Sequence, residues 1–145
     1  MIAVFACSAC TQVASADAGR VGITVKAPIV GIASTPDGQG YWEVASDGGV
    51  FAFGDAVFQG SMGAVHLNRP VVGIAADDAT GGYWLVASDG GIFSVGDAKF
   101  QGSEGGATHH APIVGTAFDN ASGGYWLVGS DGGIFTFNAP FYGAD

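Results

Sequence analysis

The sequence predicts an all-β chain of three propeller-type blades, and three observations carry that expectation. The first is an internal period of 42 residues. Gly40-Tyr41-Trp42 returns as Gly82-Tyr83-Trp84 and Gly124-Tyr125-Trp126; Ser46-Asp47-Gly48-Gly49 returns at Ser88 and Ser130. Pro28-Ile29-Val30-Gly31 returns at Pro70 and Pro112 with the same offset, and such a period marks a repeat architecture. The second is glycine, 26 of 145 residues, with no helical periodicity in any window. Glycine at that density disfavours helix by about 1 kcal/mol at each position. The third is strand segments that are apolar on both faces, as blades packed between neighbouring blades require.

Four short strands are expected per repeat, and the middle copy shows them best. Val71 to Ala75 is the first, apolar and short. Tyr83 to Ala87 is the second, aromatic and β-branched, which suits a pleated surface. Ser88-Asp89-Gly90-Gly91 reads as a hairpin turn, because glycine supplies positive φ and aspartate tolerates it. Ile92 to Val95 is the third strand, and Lys99 to Gln101 a short fourth. The repeats run over about residues 28–69, 70–111 and 112–145, inside one domain of residues 17–145. The third copy is one residue shorter, with Phe137-Asn138-Ala139 where the first has Phe53-Gly54-Asp55-Ala56.

Side-chain alternation sets the choice of architecture. Tyr83, Leu85 and Ala87 point one way, and Trp84 and Val86 the other. A β-trefoil also has three four-stranded repeats, but its strands cover a core with one face only. Blades bury both faces, and the small residues Gly31, Gly73, Gly115 and Ala33, Ala75, Ala117 suit crowding at an axis. The trefoil is the alternative. Three blades alone would leave two apolar end faces, so a half-propeller completed by oligomerisation is expected. The stretch from Gly19 to Pro28 resembles the link between repeats, one residue shorter. A homo-oligomer follows, with a dimer of six blades as its expected form.

Residues 1–16 read as a secretory signal peptide. The stretch is uncharged, mostly apolar or small, and ends in Ala14-Ser15-Ala16. Cys7 and Cys10 both fall within it, so the mature chain would carry no disulfide. The expected localisation is secreted, or extracellular.

Four Lys plus Arg against thirteen Asp plus Glu give a net charge of −9. That charge argues against a nucleic-acid partner, which needs a basic face, and no apolar run is long enough to span a membrane. Nucleophile-elbow, P-loop, HExxH and EF-hand patterns are all missing, so no enzyme, cofactor or metal is expected. The candidate ligand-binding residues lie where the turn between second and third strands meets the link to the next blade. They are Asp47, Asp89 and Asp131 on the turns, and His66, Asn68, His109 and His110 on the links. The links differ most between repeats, so specificity would reside there. Acidic residues at the other end, Asp55, Asp77, Asp78, Asp97 and Asp119, suit solvation or Ca²⁺. Trp42, Trp84 and Trp126 sit mid-strand and are expected in the core rather than on a sugar.

The unit Gly82 to Phe93, matched closely by Gly40 to Phe51 and Gly124 to Phe135, resembles a family of secreted, mostly actinobacterial proteins. These carry tandem Gly-Tyr-Trp-Leu-Val-Ala-Ser-Asp-Gly-Gly-Ile-Phe-type repeats, usually more than three copies. The resemblance runs from about Arg20 to Tyr142. It implies a propeller-like array, often attached to extracellular or cell-wall proteins. The functional expectation is a secreted, non-catalytic binding module for a glycan or protein. A structural, self-assembling extracellular protein, ring or filament, is the alternative.

Overall fold

The structure, a computed structural model, describes residues 26–108 and 110–145. The expected signal peptide, with Cys7 and Cys10, lies outside the described residues, as does His109. The first repeat forms β1 (Ile29–Ser34), β2 (Gly40–Ala45) and β3 (Val50–Gly54). The second forms β4 (Val71–Ala76), β5 (Tyr83–Ala87) and β6 (Ile92–Val95). The third forms β7 (Ile113–Asp119), β8 (Gly124–Gly129) and β9 (Ile134–Phe137). Each trio is one antiparallel sheet in chain order. Among the described residues there is no helix, and no strand pairs outside its own repeat. A trefoil barrel needs pairing between repeats, so this arrangement departs from that alternative.

The hairpin turns form where the Ser-Asp-Gly-Gly motif places them. Gly48, Gly90 and Gly132 adopt φ of 87°, 83° and 89°. The carboxylates of Asp47, Asp89 and Asp131 accept the N–H of Gly49, Gly91 and Gly133 at 2.9, 2.9 and 3.0 Å. Each aspartate thereby closes its own turn. Gly90→Val puts a β-branched residue at φ 83° and should destabilise the fold by about 1–2 kcal/mol in urea denaturation.

The first strands lie closest together. β1 packs on β4, and β4 on β7. Each carries a bulge, at Ile29/Gly31, Val71/Gly73 and Ile113/Gly115. A Cβ on Gly31 would come within 3.2 Å of the Gly73 Cα, so glycine permits this approach.

Both faces of the middle sheet are covered. One core joins Trp42, Val44, Val50 and Ala52 of the first sheet to Val71, Ile74, Tyr83 and Leu85 of the second. The other joins Trp84, Val86 and Ile92 of the second sheet to Ile113, Tyr125 and Leu127 of the third. The faces divide as the alternation of Tyr83 and Leu85 against Trp84 and Val86 predicts. We call the face bearing Tyr41, Tyr83 or Tyr125 the leading face, and that bearing Trp42, Trp84 or Trp126 the trailing face. Trp42 meets Tyr83 at 5.5 Å between ring centroids, and Trp84 meets Tyr125 at 5.2 Å.

The expected fourth strand is corrected: the described residues form three strands per repeat, and Lys99 to Gln101 is not one of them. Its backbone bonds to aromatic side chains instead of to β6. The Trp84 indole N–H donates to the Lys99 carbonyl at 2.9 Å. The Gln101 N–H donates to the Tyr125 hydroxyl at 2.9 Å, which itself donates to the Gly102 carbonyl at 2.6 Å. The same clamp recurs one repeat earlier. Trp42 donates to the Val57 carbonyl at 2.9 Å, and Tyr83 to the Gly60 carbonyl at 2.6 Å. The N–H groups of Gln59 and Gly60 both donate back to the Tyr83 oxygen at 3.1 Å. The segments after β3 and β6 are therefore straps, each tied to its own sheet and to the next one. Burial raises the Tyr83 phenol above its usual pKa, opposed by the two N–H donors.

Candidate functional site

Two clefts lie at opposite ends of the first sheet. The first, of about 380 Å³, is built from the β2–β3 turn and the link to the second repeat. Ser46, Asp47, His66, Leu67, Arg69 and Pro70 line it, with Gly63 and Val65. The link is fastened over the turn. The Met62 N–H donates to the Gly48 carbonyl at 2.9 Å, and the Ser61 hydroxyl to the same oxygen at 3.2 Å. The rim is polar and open, with His66 and Arg69 exposed. Arg69 is an exposed cation lining the same cleft as Asp47, so it can receive an anionic or strongly polar group.

Two of the expected site residues, Asp47 and His66, thus share one cleft. Asn68 is exposed on the same link but is not part of the lining. His110 is exposed on the second link, and His109 lies outside the described residues. Asp89 and Asp131 hold their own turns. The Glu104 N–H fastens the second link to the Gly90 carbonyl at 3.0 Å, repeating the pattern of Met62. Sequence reasoning left Arg69 off the site. Its signal was present, because the corresponding residues before Pro28 and Pro112 are Ala27 and Ala111.

The second cleft, of about 360 Å³, opens beside the β1–β2 loop and reaches the second sheet at Thr80 and Gly81. Thr35 organises it. Its hydroxyl lies 2.9 Å from a carboxylate oxygen of Asp37 and 2.9 Å from one of Asp55, and accepts the Gly40 N–H at 2.9 Å. The Gln39 N–H, followed by side-chain bonds with Asp55 and Thr35, holds the Asp37 carboxyl below its usual pKa. Trp42 forms part of the wall yet is only 2% exposed, with its indole N–H bonded to Val57.

Two other carboxylates at this end are used locally. Asp77 accepts the Ala79 N–H at 3.1 Å and the Thr80 hydroxyl at 2.7 Å. Asp119 accepts the Ala121 N–H at 3.0 Å and the Ser122 hydroxyl at 2.6 Å, and the Ser122 bond holds its carboxyl below the usual range. Among the described residues no three His, Cys, Asp or Glu side chains come together to hold a metal ion. No described helix is long and apolar enough to cross a membrane. Compared with known protein families and with curated proteins, the chain matches neither a family model nor a curated protein.

Proposed function

We propose that this chain is a secreted, non-catalytic binding module that takes a glycan or protein ligand in the cleft of Asp47, His66 and Arg69. One observation carries the reading. The three Ser-Asp-Gly-Gly turns have one geometry, while the links fastened over them differ in chemistry. In sequence the first link reads His66-Leu67-Asn68-Arg69 where the second reads Thr108-His109-His110-Ala111. A fixed frame with variable polar links is the usual division between scaffold and binding surface. The resemblance of the repeats to those of secreted arrays, and the residue pattern of 1–16, support an extracellular place.

The test is binding of the purified chain to an array of glycans and to native envelope or matrix preparations. Arg69→Ala should weaken a captured ligand by about tenfold or more, as loss of a charged hydrogen bond does. Binding to none of these surfaces, or binding indifferent to Arg69 and His66, would contradict the proposal. The second reading, a self-assembling structural protein, is favoured by the end faces of the array.

A further inference from the structure

We infer that a second copy of this chain docks head to tail on the first, the Trp126 face of one copy against the Tyr41 face of the other. The two interfaces inside the chain supply the template. In each, a trailing-face tryptophan meets a leading-face tyrosine, the tyrosine hydroxyl ties down the strap of the preceding sheet, and one backbone bond joins the sheets. That bond runs from the Val71 N–H to the Ser46 carbonyl at 2.8 Å, and from the Ile113 N–H to the Ser88 carbonyl at 2.8 Å.

On the outward faces of the first and third sheets the same groups stand without counterparts among the described residues. Tyr41 is 41% exposed, whereas Tyr83 and Tyr125 are 0% exposed. Ile32 is 62% exposed, whereas its equivalent Ile74 is 6% exposed. Ile29 is exposed where Val71 and Ile113 are buried. On the other end face, Trp126 and Val128 are only half-buried, although Trp42, Trp84, Val44 and Val86 are buried. Among the described residues the Tyr41 hydroxyl, the Ile29 N–H and the Ser130 carbonyl lack the bonds that their equivalents make.

The third repeat already holds the receiving geometry. Gly60 and Gly102, whose carbonyls accept the tyrosine hydroxyls, have φ of 146° and 133°, and Gly143 at the matching position has φ 131°. The Trp126 indole N–H donates to the Pro140 carbonyl at 2.7 Å, as Trp42 and Trp84 do to Val57 and Lys99. The Asp145 N–H bonds the Gly132 carbonyl at 3.3 Å, as Met62 and Glu104 bond Gly48 and Gly90. The strap of the third sheet is thus set with no tyrosine of a following sheet on it; its own Tyr142, 85% exposed, has its ring 6.4 Å from that of Trp126. Tyr41 of a second copy fits it, and the Ser130 carbonyl then receives the Ile29 N–H. Two copies joined at both ends give six sheets with two-fold symmetry, within the 4–8 blades over which propellers close.

One residue departs from the template. Glu43 stands on the leading face where Leu85 and Leu127 are fully buried. Burial against its own sheet already raises its carboxyl above the usual range. Docking removes more water from that carboxylate, so it weakens the interface and keeps it reversible.

Sedimentation velocity of the 145-residue chain over a concentration series tests this. The expected result is a reversible dimer of the 14.4 kDa chain. Tyr41→Asp, at an exposed position, should keep the circular dichroism of the parent and weaken the dimer by about 100-fold, the loss of a central aromatic anchor. Glu43→Leu should tighten it by about tenfold. A monomer at every concentration, with Glu43→Leu also monomeric, would overturn the inference. So would a dimer indifferent to Tyr41→Asp. Open assemblies larger than a dimer that dissolve with Tyr41→Asp would overturn the closed six-sheet ring.

Discussion

Trp84→Ala should lower the unfolding free energy by about 3–5 kcal/mol, the cost of truncating a large buried aromatic. Trp84 is 1% exposed and sits between the second and third sheets. Its ring lies 4.9 Å from Phe118 and 5.2 Å from Tyr125 between centroids. Alanine would open a cavity there and strip the Lys99 carbonyl of its 2.9 Å indole donor. The strap over residues 99–102 would then depend on Tyr125 and on the Gln101 side-chain N–H, which donates to the Gly123 carbonyl at 3.4 Å. A loss of this size is a large part of the roughly 5–15 kcal/mol that holds a domain together. Trp126→Ala should cost less, because that ring is half-buried and has no tyrosine from a following sheet against it. Urea denaturation of the two variants in the Tyr41→Asp background, where no second copy covers Trp126, checks both the size and the order. Equal costs would contradict the placement of Trp84 inside the array.

Gly82→Val should destabilise by about 3 kcal/mol, the upper end of what overpacking usually costs. The backbone conformation of Gly82 is not the cause. A Cβ there would lie 2.6 Å from the Ala98 nitrogen and 2.6 Å from the Val95 carbonyl oxygen. Both are backbone atoms, which cannot swing aside as a side chain can. Gly82 is also tied at both ends of its peptide unit. Its carbonyl accepts the Asp77 N–H at 2.9 Å, and its N–H donates to the Thr80 hydroxyl at 3.2 Å. Moving the chain to admit valine would break this loop. The position is the invariant glycine before Tyr-Trp in all three repeats, and close approach of the third strand's end explains it. A denaturation midpoint equal to that of the parent would show that the loop yields.

Much of this arrangement was legible in the residues. The repeat of Ser-Asp-Gly-Gly located the turn between second and third strands in every repeat, because glycine readily takes the positive φ that Gly48, Gly90 and Gly132 adopt. The alternation Tyr83-Trp84-Leu85-Val86 showed that both faces are buried, since period-two apolar runs on both sides leave no solvent face. The strap was not legible. Phe58-Gln59-Gly60 and Phe100-Gln101-Gly102 have strand-like residues, but their backbone partners are side chains distant in sequence, which no local pattern announces. Asn138, at φ 52°, takes the turn position that Gly54 and Gly96 hold at 69° and 71°. The one-residue shortening at Phe137-Asn138-Ala139 was legible, but the positive φ of Asn138 was not, because asparagine also adopts ordinary backbone angles. Glu43 was visible as a change from leucine, yet its meaning needed the leading face to be known. For the site, the link residues were legible as variable, and Asp47 and His66 do share a cleft. Each turn carboxylate also accepts the glycine N–H two residues on, a local role that the Ser-Asp-Gly-Gly pattern carries in every repeat.

Each repeat forms a sheet of its own, and neighbouring sheets meet through side chains and a single backbone hydrogen bond. Nuclear Overhauser contacts between Hα protons across strands report strand pairing directly. They should occur within residues 29–54, within 71–95 and within 113–137, with the Trp84 and Tyr125 rings giving side-chain contacts between sheets. A ladder of backbone contacts joining a strand of one repeat to a strand of another would contradict the account, since that is the pairing a closed three-repeat barrel requires.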